Sequence, residues 1–197
     1  MTEERKPGRP RSATTRRAIL TAALEELQER GYAALTIEGI AARAGAGKQT
    51  IYRWWQSKAD VVLNAMLDLV AARITVPDEG SLAADLSVFL RETFRQRGQR
   101  PVLVGLLAET LLDPVFAAAF RERFLFSRRA ALRSILDRAA ERGEVDPDVD
   151  LELLVDVVYG VLWYRLLLAH VPVNATTGQQ LAALVTRAAG ASGRPSG

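Results

Sequence analysis

Apolar residues recur every three to four positions along most of the chain, and Gly or Pro separates the segments in which they do so. This spacing places apolar side chains on one face of an α-helix, whereas the strict alternation typical of strands is nearly absent. The pattern predicts an all-α fold of about nine helices. The first helix is expected from Ser12 or Thr14 to Arg30, followed by Gly31.

Two short helices are predicted next. Thr36 is a suitable N-cap for a helix over residues 37–44, and Gly45 can take the left-handed conformation that ends it. A third helix is expected over residues 48–55. A supporting helix followed by two short helices that are joined at a glycine predicts a helix-turn-helix head.

Capping signals divide the rest of the chain into longer helices, which together predict a helical bundle. The helix after Asp113 is expected to continue unbroken to Gly143, and the most apolar helix is expected over residues 151–170. The expected caps and first-turn residues of these helices are Ser57, Ser81, Pro101, Asp113, Asp146 and Thr177.

Positive charge is concentrated in the predicted head. Residues 1–58 hold 11 Lys and Arg against 6 Asp and Glu, whereas residues 59–197 hold 15 against 17. A basic segment before a mildly acidic body is typical of nucleic-acid binders. The outward face of the third helix suits a major groove, because Gln pairs with adenine, Arg with guanine, and Lys or Tyr with phosphate. This face carries Lys48, Gln49, Tyr52, Arg53 and Trp54, although Tyr52 and Trp54 could instead pack on the head.

Composition argues against several other classes of protein. The chain has no Cys, which excludes disulfide scaffolds, cysteine-ligated zinc sites and thiol enzymes. The lone His170 and the scattered carboxylates show no catalytic or metal-ligating spacing, so we expect no enzymatic activity, metal or cofactor. The polar first residues carry no secretory signal, and Asp156 and Arg165 interrupt the most apolar segment. A cytoplasmic protein without a membrane span is therefore expected.

The run from Leu35 to Lys58 contains T-x-x-x-I-A-x-x-A-G, T-I-Y and S-K in close succession. Together with its flanks, over residues 14–62, it resembles the DNA-binding head of the TetR/AcrR family of bacterial transcriptional regulators. The body resembles one of the family's C-terminal regulatory domains through L-L-D-P-x-F, R-R-A-A-L-R and Y-G-V-L-W-Y-R-L-L-L. The resemblance implies a homodimeric, ligand-responsive repressor that binds double-stranded DNA.

The resemblance also assigns DNA contacts to individual residues. It implies that Thr36 contacts phosphate, that Lys58 holds the DNA backbone, and that the third helix is the recognition helix. The chain departs from the family pattern at Gly47, where Ser, Thr or Pro is usual, at Gln49, which replaces a small residue, and at Trp54, which replaces a polar one. The DNA sequence that the protein reads is therefore expected to be unusual.

The basic segment over residues 5–11 has a G-R-P core and resembles an AT-hook, whose Arg side chains lie in the narrow minor groove. Arg9 and Arg11 are therefore expected to contact DNA. The alternative is a solvated basic tail.

The helix over residues 151–170 is apolar on both sides, so we expect both sides to be buried. Gly160 would let another helix approach closely. As in the family, the helix over residues 151–170 and the last helix of the chain are predicted to form half of a four-helix dimer interface. The symmetry of such a dimer implies a pseudo-palindromic operator. The alternative to a dimer interface is that this helix is the central core helix of a monomer. The predicted interface residues are Leu153, Val157, Gly160, Tyr164, Leu181 and Leu184.

By analogy with the family, the body is expected to bind a small apolar or aromatic effector and then to release DNA. The residues that could line its pocket, or could be plain core, are Leu103, Leu107, Phe120, Phe124, Tyr159 and Trp163.

The expected organisation is a basic disordered N-terminal arm (1–11), a helix-turn-helix domain (12–58), a ligand-binding and dimerisation domain (59–190) and a flexible tail (191–197). Two rival functions remain open. One is a DNA-binding regulator without an effector, controlled by a protein partner or by abundance. The other is an enzyme fused to a binding head, although no constellation of residues for chemistry supports it.

Overall fold

The computed structural model describes residues 10–71, 76–95 and 100–190, without the side chains of residues 10–12 and 69–71. Regular secondary structure in these ranges is entirely helical, which confirms the predicted all-α class. None of the helices in these ranges combines the length and the apolar character that a membrane span requires. The predictions for Arg9, for the side chain of Arg11 and for the tail over residues 191–197 lie outside the described residues.

The helices fall into two compact units. The first unit contains α1 to α4, α6 from Pro101 onward, and α7, and the second contains α5, a π-helical segment, α8, α9 and α10. In chain order the elements are α1 (Pro10–Ala34), α2 (Ile37–Ala44), α3 (Lys48–Tyr52), α4 (Lys58–Ala71), α5 (Leu82–Thr93), α6 (Arg100–Leu112), α7 (Pro114–Phe120), the π-helical segment (Arg121–Leu125), α8 (Phe126–Glu141), α9 (Leu151–Leu168) and α10 (Ala175–Ala189).

Local signals place α2 at its predicted bounds. The Oγ1 of Thr36 accepts a hydrogen bond from the N–H of Gly39 at 3.0 Å, which satisfies one of the unpaired donors at the start of the helix. Gly45 ends the helix with a left-handed φ of 61°. Ile40 and Ile51 are fully buried, so apolar side chains hold α2 and α3 in the core of the first unit.

Helices α1 and α3 differ from the prediction at their ends. Helix α1 begins at Pro10, earlier than expected, and continues past Gly31, which bends the helix at φ 75° and ψ 167° instead of ending it. Helix α3 ends at Tyr52, earlier than expected. The N–H of Trp54 bonds to the carbonyl of Ile51 at 2.9 Å, so the chain leaves the helix in a tight turn.

In the second unit, α5 and α10 pack at backbone distance. A Cβ on Gly178 of α10 would lie 2.4 Å from the carbonyl oxygen of Leu90 on α5, so only glycine permits this approach. The side chains of Leu86, Leu90 and Phe94 are fully buried in a core that includes residues of α8 and α9. Helix α5 is therefore at the centre of this unit.

The single helix predicted from Asp113 to Gly143 is divided into α7, the π-helical segment and α8. The π-helical segment buries Phe124, which is 2% exposed, while its Arg and Glu side chains are exposed. The wider turn changes which residues face inward, and a 3.6-residue period does not predict it.

The caps of α9 and α10 also differ from the prediction. The carboxylate of Asp150, rather than Asp146, accepts hydrogen bonds from the N–H groups of Glu152 and Leu153 in the first turn of α9. The side chain of Asn174 caps α10 by accepting a hydrogen bond from the N–H of Thr177 at 2.9 Å. The prediction that Thr177 is the cap was therefore wrong, and this residue is buried inside the helix.

Candidate nucleic-acid interface

Helix α3 is anchored on one side and exposed on the other. Ile51 is fully buried, and Trp55, which follows the helix, is only 4% exposed. These two side chains turn the opposite side of α3 outward. The predicted DNA-contacting residues Lys48, Gln49, Tyr52 and Arg53 are all exposed there.

Lys48 forms an ion pair with Glu38 of α2, with 2.7 Å between Nζ and Oε1. The hydrogen bond raises the pKa of Lys48 and lowers the pKa of Glu38. Both side chains are more than half exposed, at 54% and 60%, so solvent weakens the pair and it adds little stability. A phosphate group could therefore replace Glu38 as the partner of Lys48.

Trp54 packs on the first unit and also supports Arg53. The Trp54 and Trp55 rings meet edge to face, with 5.5 Å between their centroids. The guanidinium carbon of Arg53 lies 6.0 Å from the centroid of a Trp54 ring. This contact restricts the Arg53 side chain, and such a restriction would reduce the entropy lost if Arg53 contacts DNA as predicted.

The two residues that the family resemblance assigns to phosphate, Thr36 and Lys58, already have partners in the chain. The Oγ1 of Thr36 caps α2. The Nζ of Lys58 donates to the carbonyl oxygens of Tyr32 and Leu35 at 3.2 and 3.1 Å, and lies 4.8 Å from the centroid of the Tyr32 ring. An ammonium group has three donors, so these bonds leave one for a phosphate.

Arg43 of α2 is a residue that the sequence analysis missed. Its Nε donates to Glu26 at 2.9 Å, its two terminal nitrogens bond Glu29, and Glu25 lies at 3.6 Å. The Glu26 side chain is only 4% exposed, so this network fixes α2 against α1. The acidic spacing along α1 was a signal that could have indicated a basic partner.

Helix α9 buries one side in its own chain and exposes the other. Leu154, Val158 and Leu162 are buried, so the expectation that both sides are buried holds for one side only within this chain. Most of the predicted interface residues are exposed, whereas Leu181 is 4% exposed in the core of the second unit. The exposed ones are Leu153, Val157, Gly160, Tyr164 and Leu184.

The predicted effector-contacting residues are divided between the two units. Leu103, Leu107 and Phe120 belong to the first unit, and Phe124, Tyr159 and Trp163 to the second. Leu107 and Trp163 are half-buried and the other four are buried. The hydroxyl of Tyr159 donates to a backbone carbonyl at 2.8 Å, and burial raises its pKa, so this phenol is neutral.

Arg128, at the start of α8, was also missed by the sequence analysis. Its guanidinium carbon lies 4.3 Å from the centroid of the Phe124 ring, and its carbonyl oxygen is the one that Tyr159 bonds. Burial lowers the pKa of Arg128. No pattern in the sequence separates this arginine from Arg129 beside it.

A helix-turn-helix that presents an exposed, polar and basic helix defines a DNA-binding transcriptional regulator. No group of three His, Cys, Asp or Glu side chains is placed to hold a metal ion in the part of the chain that the structure describes. The family described as "Bacterial regulatory proteins, tetR family" matches residues 19–65, and "Tetracyclin repressor-like, C-terminal domain" matches residues 76–185. The chain therefore belongs to the TetR family of bacterial transcriptional regulators.

Its relatives extend the match over most of the chain. The uncharacterized HTH-type transcriptional regulator YdeS of Bacillus subtilis is 37% identical over 171 residues, which cover 86% of each chain. The DNA-binding transcriptional repressor TetR of Mycobacteroides abscessus is 33% identical over 80% of this chain and 85% of the relative. Among solved structures, the TetR family transcription regulator SCO0332 is 32% identical, with a TM-score of 0.72 over 87% of this chain and 96% of that one.

Proposed function

We propose that the protein is a homodimeric repressor that binds a pseudo-palindromic operator and is released from it by a small-molecule effector. One observation carries the proposal furthest. The chain has an exposed polar and basic surface on α3 and an exposed apolar surface on α9, and a dimer that presents two recognition helices needs both.

The α9 surface supports dimerisation. Leu153, Tyr164 and Leu168 are each more than half exposed on this helix, and Leu184 adds to the apolar surface on α10. Contiguous apolar side chains of this size are costly in water, and a second copy of the same surface covers them without requiring another kind of partner. The repressor role is supported by the relative that is named as a repressor.

Release by an effector is supported by two structures that share the fold at lower identity. A FadR from Bacillus subtilis, 18% identical, is in complex with stearoyl-CoA, and a regulator from Saccharomonospora viridis, 19% identical, is in complex with choline. In the protein described here, the aromatic residues Phe124, Tyr159 and Trp163 are the candidates for effector contact in the second unit. An effector that binds the non-DNA conformation more tightly lowers DNA affinity by that difference.

A regulator without an effector is the second candidate. The observation that favours it is the burial of four of the six predicted effector residues, because a side chain packed on all sides has no surface to offer a ligand. Regulation would then depend on a protein partner or on abundance.

The proposal is tested by selecting genomic DNA fragments that the purified protein retains, followed by footprinting. We expect inverted half-sites about one helical turn apart, or a multiple of that distance, occupied by two chains. Retained fragments without an inverted repeat, or a complex with one chain, would contradict the homodimer. Titration of the operator complex with cell extract metabolites then separates the two candidates, because only the first predicts release.

A further inference from the structure

Three arginines near the start of α8 differ in their partners. Arg129 bonds Glu152 and Asp156, and Arg133 bonds Asp137 and Glu152. Arg128, by contrast, takes part in none of the ion pairs found among the described residues. Its guanidinium instead lies over the Phe124 ring. Arg128 is half-buried, and it is the one of these three arginines without a counter-ion among the described residues.

A partly buried guanidinium without a counter-ion costs free energy. A guanidinium stays charged at any physiological pH, so the protein cannot avoid the desolvation cost by releasing a proton. Burial lowers the pKa of Arg128, and the nearby Tyr159 phenol opposes this shift only in part. The contact with an aromatic face recovers part of the cost, but an anion would recover more.

The surroundings of Arg128 lie among the candidate effector residues. Phe124 is the ring beneath its guanidinium, and Tyr159 holds its backbone through the 2.8 Å hydrogen bond. Phe124 belongs to the π-helical segment, and such wide turns are frequent at functional sites. Tyr159 therefore holds the backbone of Arg128, and Phe124 contacts its guanidinium.

We propose that the effector is an organic anion, and that the guanidinium of Arg128 binds its carboxylate or phosphate group while neighbouring aromatic side chains contact its apolar body. The planar fork of a guanidinium matches both groups with two parallel hydrogen bonds. The inference rests on the proposed release by an effector and adds the charge of that effector. A cation such as choline would be repelled at this position.

A second basic place in the same unit offers an internal comparison. Arg100 and Arg165 line a groove of about 400 Å³ at the end of α9, together with His170. Arg100 donates to the carbonyls of Leu166 and Leu167, so it already binds the negative end of that helix. Its charge is used in capping, whereas the charge of Arg128 is not.

The test uses full-length protein without DNA and pairs of probes that differ only in charge. The pairs are decanoate with decanol and phenylbutyrate with phenylbutanol, and octyl phosphate is compared with octanol. Binding is measured by calorimetry for the wild type, Arg128→Gln and Arg128→Lys. Arg129→Gln removes the same charge from the same helix turn, and Arg100→Gln removes it from the groove.

We expect the wild type to bind an anionic probe about 10- to 100-fold more tightly than its neutral partner, and Arg128→Gln to lose that preference. Arg128→Lys should fall between the two, because it keeps the charge and loses the fork. Arg129→Gln and Arg100→Gln should remain within about twofold of the wild type. Comparing decanoate with octyl phosphate then tells which anionic group is preferred.

The proposal is overturned if neutral and anionic probes bind the wild type equally, if no anionic probe binds, or if Arg100→Gln weakens binding as much as Arg128→Gln. A second measurement needs no ligand. Arg128→Gln should leave the apo melting temperature unchanged or raise it, whereas Arg129→Gln, which breaks ion pairs, should lower it. A lower melting temperature for Arg128→Gln alone would assign Arg128 a structural role and also overturn the proposal.

Failure of this inference is distinguishable from failure of the proposed function. Release of the operator by a neutral molecule would keep the function and remove the role of Arg128. Anion binding at Arg128 without release of DNA would support the anion site and contradict the proposed release by an effector.

Discussion

Two exposed helix surfaces of this protein have opposite chemistry. The outward side of α3 presents Lys48, Gln49 and Arg53, which donate hydrogen bonds, whereas the outward side of α9 presents Leu153 and Tyr164 among other apolar groups. Both surfaces are exposed, but their different chemistry indicates different partners. A polar and basic surface fits a polyanion, and an apolar surface fits a second apolar surface.

The largest effect is expected from a charge placed on the apolar surface of α9. A Cβ added to Gly160 would contact nothing within 4 Å, so Gly160→Arg should not disturb the folded chain. It should give monomers in sedimentation and abolish tight operator binding, because a charge buried in an apolar interface is costly. Ala83→Arg, at an exposed position on α5, is the matched control. A Gly160→Arg protein that still dimerises would place the interface elsewhere.

The polar side is tested by removing single donors. Gln49→Ala and Arg53→Ala should each weaken operator binding by about 1–3 kcal/mol while random DNA is bound almost as before, because base contacts and not phosphate contacts are lost. Gel-shift titrations on both DNAs measure the difference. Arg17→Ala, on the exposed side of α1, should change neither. Equal losses on both DNAs would remove these residues from base reading.

Replacing Lys58 should affect DNA binding less and should also affect stability. Lys58 bonds two carbonyls within the chain, and the family resemblance implies that it also contacts the DNA backbone. Lys58→Met should weaken binding to operator DNA and to random DNA by the same factor. It should also reduce the slope of log affinity against log salt concentration by about 1. It should also destabilise the protein by about 1–3 kcal/mol, since Tyr32 and Leu35 lose a donor to their carbonyls. Salt titrations and urea unfolding separate the two effects. An unchanged slope would limit Lys58 to the fold.

Sequence patterns predicted the features that depend on neighbouring residues. Thr36 and Gly45 define both ends of α2 through local hydrogen bonds and a single left-handed residue, so the predicted bounds agree with the structure. The starts of α9 and α10 depended on choosing among several Asp, Asn and Thr residues. Asp146 and Thr177 were predicted, whereas Asp150 and Asn174 are the caps in the structure.

Features that depend on distant residues could not be predicted in this way. Gly160 and Gly178 look alike in the sequence, yet only Gly178 has a backbone against it within the chain. The partners of Lys58 lie 26 and 23 residues away, and whether Arg128 or Arg129 has a counter-ion depends on which carboxylates of α9 lie opposite. Folding decides these contacts, and the period of apolar residues does not encode them.

The smallest expected effect sharpens the α3 side of the comparison. Gly47 is the N-cap of α3, with no side chain to cap it, and its φ of −77° and ψ of 146° suit any residue. A Cβ there would meet only the Oγ1 of Thr50, at 3.9 Å. Gly47→Ser should therefore stabilise the protein by about 0.5 kcal/mol, because its hydroxyl can accept a hydrogen bond from an unpaired N–H at the start of the helix.

Urea unfolding measures this gain, and Gly47→Ala separates its two causes. Alanine restricts the unfolded chain as serine does but supplies no hydroxyl, so a larger gain for serine assigns the difference to capping. Equal gains would mean that the hydroxyl does not reach α3. A serine that caps the helix would also stand beside Lys48 at the start of the exposed surface, so binding to operator and random DNA should rise together if that hydroxyl contacts phosphate.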